Sequence, residues 1–110
     1  MISVTKKFSF CYGHQLPKYA GPCQNIHGHN SEIEVEVSGR DEESYESMVI
    51  DFKKLKEIVG AIVNKLDHQF LNVALPSINQ PPTVENIVTH FAGKLLADNI
   101  DVSSFSDFAN

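Results

Sequence analysis

The apolar residues of this chain change period halfway along it, from two to about three and a half, so strands must come first and helices after them. From Ile2, alternation puts Val4, Phe8, Phe10 and Tyr12 on one face and Lys7 and Ser9 on the other, with Lys6 the odd member of the apolar phase. A second strand begins at Asn30, where Ile33, Val35 and Val37 oppose Glu32, Glu34, Glu36 and Ser38. A polar turn over Gly39–Ser47 returns the chain. Phe52, Leu55, Ile58, Val59, Ile62, Val63 and Leu66 then follow the stripe of an amphipathic helix, with Asp51 at the N-cap. Gly60 weakens that helix by roughly 1 kcal/mol against Ala without ending it. A loop carries Asp67, His68, Asn72, Pro76, Pro81 and Pro82. Thr83 caps a second helix that buries Ile87, Val88, Phe91, Leu95 and Leu96, and Ile100–Phe108 reads as one more strand. The order β–β–α–α–β is an α+β pattern.

With 110 residues and 42% hydrophobic content, the chain makes one domain, residues 1–110. A net charge of −5 argues against a general affinity for nucleic acid, which needs clustered Lys and Arg to displace counterions, and leaves room for a local basic pocket. No stretch approaches the ~20 apolar residues of a membrane helix, and the first ten residues lack the apolar core of a secretory signal. A cytoplasmic protein is expected. Cys11 and Cys23 are then reduced thiols rather than a disulfide, with Cys11 mid-strand in the core.

His27 and His29 stand two apart at the entrance to the second strand, so both imidazoles leave one face with Cα atoms about 6.5 Å apart. Gly28 between them lets the backbone bend. His14 continues the even phase of the first strand and supplies a third nitrogen if the two strands pair. Three histidines with the fourth position open is the construction of a catalytic zinc site. The plainer reading makes them polar residues near a strand end, as His90 on the second helix is expected to be.

Cys23 lies four residues before His27 in a loop opened by Gly21 and Pro22. A thiol beside a divalent ion gains thiolate character and can move protons next to a bound substrate oxygen. Two other roles stay open for it: a fourth ligand in a closed structural site, or a small buried residue. Asp67 and His68 make an acid–base pair if their loop folds onto the metal, and a helix-end charge arrangement if it does not.

Four motifs now stand in one order: Cys23-Gln24-Asn25-Ile26-His27-Gly28-His29, Met48-Val49-Ile50-Asp51-Phe52, Leu66-Asp67-His68 and Pro82-Thr83-Val84-Glu85-Asn86. In these the chain resembles the 6-pyruvoyltetrahydropterin synthase superfamily, from about Phe8 to Leu96. The three-residue gap between Cys23 and His27 is most like its 6-carboxytetrahydropterin synthase branch, of the queuosine pathway. The resemblance implies the tunnelling fold, an antiparallel sheet with two helices packed on one face, joined into an oligomeric β-barrel as a homotrimer or homohexamer with active sites between subunits. The Glu32, Glu34 and Glu36 face would then line the lumen or meet solvent. By position, His14, His27 and His29 match the zinc ligands. Cys23, Asp67 and His68 match the proton-transfer groups, and Thr83 a residue that holds the pterin ring. The implied reaction converts 7,8-dihydroneopterin triphosphate to 6-carboxy-5,6,7,8-tetrahydropterin, releasing acetaldehyde and triphosphate. Lys6, Lys7 and Lys18 are the nearby candidates for the triphosphate.

The chain departs from the family at its end. Members carry a C-terminal glutamate that grips the pterin edge; Val102–Asn110 contains none, and Asp107 or Glu85 is expected to take its place. The rival readings are a sister pterin lyase, such as a pyruvoyl-forming or side-chain-removing enzyme, and a zinc-bearing pterin-binding protein without turnover.

Overall fold

The computed structural model describes residues 2–16, 26–39 and 51–108. Cys23, Lys18 and the expected turn at 40–47 lie outside the described residues. Strand β1 (Ile2–His14) and strand β2 (His27–Gly39) pair antiparallel over their whole length, from Ile2 opposite Gly39 to His14 opposite His27. Strand β4 (Ile100–Phe108) runs antiparallel along the other side of β2, with a register shift between Glu34 and Val35. A two-residue strand β3 (Gln69–Phe70) adds in parallel to β1, and the sheet order is β3–β1–β2–β4.

Both expected helices form. Helix α1 (Phe52–Leu66) starts where the Asp51 carboxylate accepts the Lys53 N–H at 3.0 Å. Helix α3 (Val84–Leu95) starts where the Thr83 hydroxyl accepts the Asn86 N–H at 3.1 Å. They bury Leu55, Val59, Val63 and Leu66, and Ile87, Phe91 and Leu95, against Phe10, Ile33, Val35 and Val37 on one face of the sheet. Alternation in β1 and β2 therefore has one physical origin: the helices cover a single face, which takes the even residues of β1 and the odd residues of β2.

Four details differ from expectation. Leu96 is 74% exposed, because α3 stops at Leu95 and a 3-10 turn (Leu96–Asp98) swings the next side chain outward. Val88 is only half-buried at the edge of the α3 stripe. Cys11 is half-buried rather than core, since its odd phase in β1 points away from the helices. The segment after α1 is not a plain loop: it holds β3, a short helix α2 (Leu71–Ala74) and a 3-10 turn (Ser77–Asn79). The Gln80 amide pins this segment by donating to the carbonyls of Leu71 and Leu75, each at 2.9 Å.

Lys6 keeps the inward phase of β1 by lying over aromatic rings. Its ammonium is 5.6 Å from the Phe52 centroid and 5.9 Å from that of Phe8. The half-exposed Phe52 thus has a partner the helical periodicity does not reveal.

Candidate functional site

The β1–β2 register assembles the histidines. His14 closes β1 directly opposite His27, which opens β2, and His29 stands opposite Tyr12 on the same face. Ring centroids are 4.4 Å apart for His14–His27, 4.8 Å for His27–His29 and 5.1 Å for His14–His29. One ligand nitrogen from each lies within 4.8 Å of the other two.

The protonation pattern follows from hydrogen bonding. His14 Nδ1 is 2.7 Å from the Pro82 carbonyl, which can only accept, so Nδ1 carries the proton and Nε2 the lone pair. That Nε2 is buried with no hydrogen-bond partner among the described residues. Burial holds His14 below its ordinary pKa of 6.5; the Pro82 bond opposes this, His27 and His29 add to the lowering, and Asp107 opposes it. A neutral imidazole, oriented by a carbonyl on its far nitrogen and presenting an unshared pair toward two more imidazoles, fits a borderline-soft divalent ion such as zinc. Three such donors leave a coordination position for solvent or substrate.

A carboxylate flanks the cluster. Asp107 on β4 accepts from the Tyr12 hydroxyl at 2.7 Å and from the Ser31 hydroxyl at 2.5 Å, one to each oxygen. The buried Tyr12 ring stands edge-on to His14, 5.1 Å between centroids, and lies 5.6 Å from His29. Tyr12 and Ser31 were legible only as strand residues. The available signal was a phenol on an inward phase, which needs a polar partner when buried.

Asp67 and His68 form a separate group, with Cys11. Asp67 Oδ1 accepts the Cys11 N–H at 2.9 Å, the His68 N–H donates to the Cys11 carbonyl at 2.6 Å, and His68 Nδ1 is 3.0 Å from Asp67 Oδ1. The Cys11 N–H bond holds Asp67 below its ordinary 3.8; desolvation opposes this, and the His68 hydrogen bond adds to the lowering. His68 shares with His27 and His29 the lining of a cavity of about 480 Å³.

Other expected residues fall at varied distances from the cluster. Thr83 is the residue after the Pro82 carbonyl, and its hydroxyl oxygen serves as the α3 cap. Glu85 is exposed in the first turn of α3, where its charge suits the helix terminus. Lys6 and Lys7 stand eight and seven residues from His14 on one extended strand, roughly 24–27 Å away, too far to serve the same site within one chain. His90 is structural, half-buried with Nδ1 3.3 Å from Asn79 Oδ1.

A family model described as 6-pyruvoyl tetrahydropterin synthase matches residues 3–104. A 6-carboxy-5,6,7,8-tetrahydropterin synthase of Synechocystis sp. is 38% identical over 99 residues, covering 86% of this chain and 75% of that protein. A dihydroneopterin monophosphate aldolase of Pyrococcus furiosus is 42% identical over 64 residues, 58% of this chain and 50% of its own length. Among solved structures, the 6-pyruvoyl tetrahydropterin synthase of Caenorhabditis elegans superposes with a TM-score of 0.75 at 22% identity, covering 98% of this chain and 96% of that one, a likeness of fold. No helix among the described residues is long and apolar enough to cross a membrane.

Proposed function

Because the chain belongs to the 6-pyruvoyl tetrahydropterin synthase family, we propose that it converts 7,8-dihydroneopterin triphosphate and one water to 6-carboxy-5,6,7,8-tetrahydropterin, acetaldehyde and triphosphate, as a zinc-dependent step toward 7-deazaguanines such as queuosine. One observation carries the reading: His14, locked by Pro82, meets His27 and His29 beside a tethered carboxylate, Asp107.

His14, His27 and His29 would hold the zinc ion. When bound, zinc supplies Lewis acidity toward the side-chain hydroxyls of the pterin. Asp107, its oxygens aligned by Tyr12 and Ser31, faces the guanidine-like edge of the pterin and takes charge-assisted hydrogen bonds from it. It does so on a shorter side chain than glutamate. Thr83 and Glu85 are second candidates for the ring. Cys23 moves the proton at the carbon next to the hydroxyls, and Asp67 and His68 carry protons on the opposite side. The Asp67–His68 pair is already hydrogen-bonded for a relay, at 3.0 Å.

The site is completed by assembly. Strands β3 and β4 are the edges of the sheet, where a neighbouring chain can extend it into a barrel. A homotrimer or homohexamer would let the Asp67–His68 pair of one chain serve the histidine cluster of another. Such a protein works in the cytoplasm without nucleic-acid or membrane partners.

The aldolase relative of Pyrococcus furiosus favours a second reading, removal of the pterin side chain. Product identification separates the two. Zinc-loaded protein incubated with dihydroneopterin triphosphate should yield acetaldehyde and the carboxypterin, and a chelator should abolish both. A hydroxymethylpterin product would establish the second reading instead, and binding of the pterin without turnover would overturn both.

A further inference from the structure

We propose that Cys11, Asp67 and His68 form a second divalent-metal site, one with a thiolate ligand, apart from the three-histidine cluster. The Cys11 sulfur, a carboxylate oxygen of Asp67 and a ring nitrogen of His68 all lie within 4.8 Å of one another. The donors come from segments 56 residues apart, joined at the seam where β1 meets β3. Two hydrogen bonds close that seam: Cys11 N–H to Asp67 Oδ1 at 2.9 Å and His68 N–H to the Cys11 carbonyl at 2.6 Å. The Cys11 and His68 backbone is therefore fixed, while the His68 side chain, held among the described residues only by Asp67 at 3.0 Å, is 78% exposed and has room to turn.

His68 has φ of 59°, the left-handed region that non-glycine residues seldom occupy. That conformation accompanies an imidazole folded back onto Asp67 at 3.0 Å. Around a tetrahedral zinc ion, ligand atoms at ~2.0–2.3 Å from the metal stand roughly 3.3–3.8 Å from one another. With every separation inside 4.8 Å, closing the group takes at most about an ångström of movement, which the exposed ring can supply.

The donor set selects the ion. Sulfur, nitrogen and one carboxylate oxygen suit zinc or cobalt; calcium and magnesium need shells of oxygen. The Cys11 thiol now donates to Asn30 Oδ1 at 3.0 Å. On binding, that proton leaves to solvent, the ion takes its place on sulfur, and Asn30 can turn its amide to donate to the thiolate. If the reading of Asp67 and His68 as proton carriers holds, an ion here withdraws both from turnover, and excess zinc inhibits.

Titration of the chelator-treated, full-length protein with cobalt(II) tests the site. The expected result is two equivalents per chain, one bringing a sulfur-to-cobalt charge-transfer band. Cys11→Ser should lose the band and one equivalent, and Cys23→Ser should keep both. His27→Ala should lose the other equivalent and keep the band. His68→Ala, at an exposed side chain, should lose the second equivalent without loss of fold by circular dichroism. A single equivalent in the wild type, or a band that disappears with Cys23 and survives Cys11→Ser, overturns the proposal. The titration reads metal alone, so a protein inactive on the pterin still gives a result.

Discussion

The Tyr12 hydroxyl donates to Asp107 across 2.7 Å while the same ring stands edge-on to His14, 5.1 Å between centroids. One side chain thus packs on a metal-binding candidate and aims a substrate-binding one. Removing only the hydroxyl separates the two tasks. A hydrogen bond to a charged group contributes about 1.5–3 kcal/mol, so Tyr12→Phe should weaken pterin binding by roughly ten- to a hundredfold. Zinc content should not change. Steady-state KM and metal analysis on the same preparation check both halves, and loss of zinc would show the ring rather than the hydroxyl to be the essential part.

Cys23 is expected to move protons rather than hold metal. Cys23→Ala should retain zinc and lose turnover by at least about a hundredfold, the usual contribution of a positioned acid–base group. Acetaldehyde release set against zinc per chain gives the answer. Loss of the ion together with activity would make Cys23 a ligand in a closed site.

His14 sets a pH dependence. Burial, the largest influence, holds it below the 6.5 of the unfolded chain, and the Pro82 hydrogen bond only partly opposes this. The unfolded state then binds the proton more readily. Stability from neutral His14 is full above pH 6.5 and is lost as pH falls through the lowered folded value. The Tm of metal-free protein should fall between about pH 7.5 and about 5.5. Zinc-loaded protein should fall further, because protons compete for the ligand nitrogens. His90, also lowered chiefly by burial, acts in the same direction, so comparison with His14→Gln isolates the His14 share.

The core prediction concerns Phe91, fully buried between helix and sheet and 5.8 Å from the Phe10 ring. Phe91→Ala should cost about 3–5 kcal/mol, while Lys7→Ala on the outward face of β1 should stay within about 0.5 kcal/mol. Chemical denaturation of both variants at one protein concentration makes the comparison.

What could be read from the sequence was what repeats. Alternation placed Phe10, Tyr12 and His14 on one face of β1, and the caps at Asp51 and Thr83 started the helices where they start. The histidine cluster followed from the same phase once the strands paired. Contacts between segments could not be read. No local pattern shows that Lys6 lies over Phe52, that Pro82 offers its carbonyl to His14, or that Asp67 and His68 fold onto Cys11. β3 was missed because two residues carry no periodicity; its pairing with β1 is decided by the chain turning at His68. The end of α3 was misread because an apolar Leu96 continues the stripe although the helix has stopped.

Zinc K-edge X-ray absorption on the Cys11→Ser variant, loaded with one equivalent per chain, tests the central claim most directly. Three nitrogen scatterers with imidazole character at ~2.0–2.1 Å and one oxygen ligand at a similar distance are expected. A sulfur scatterer at ~2.3 Å, or fewer than three imidazoles, would contradict the account.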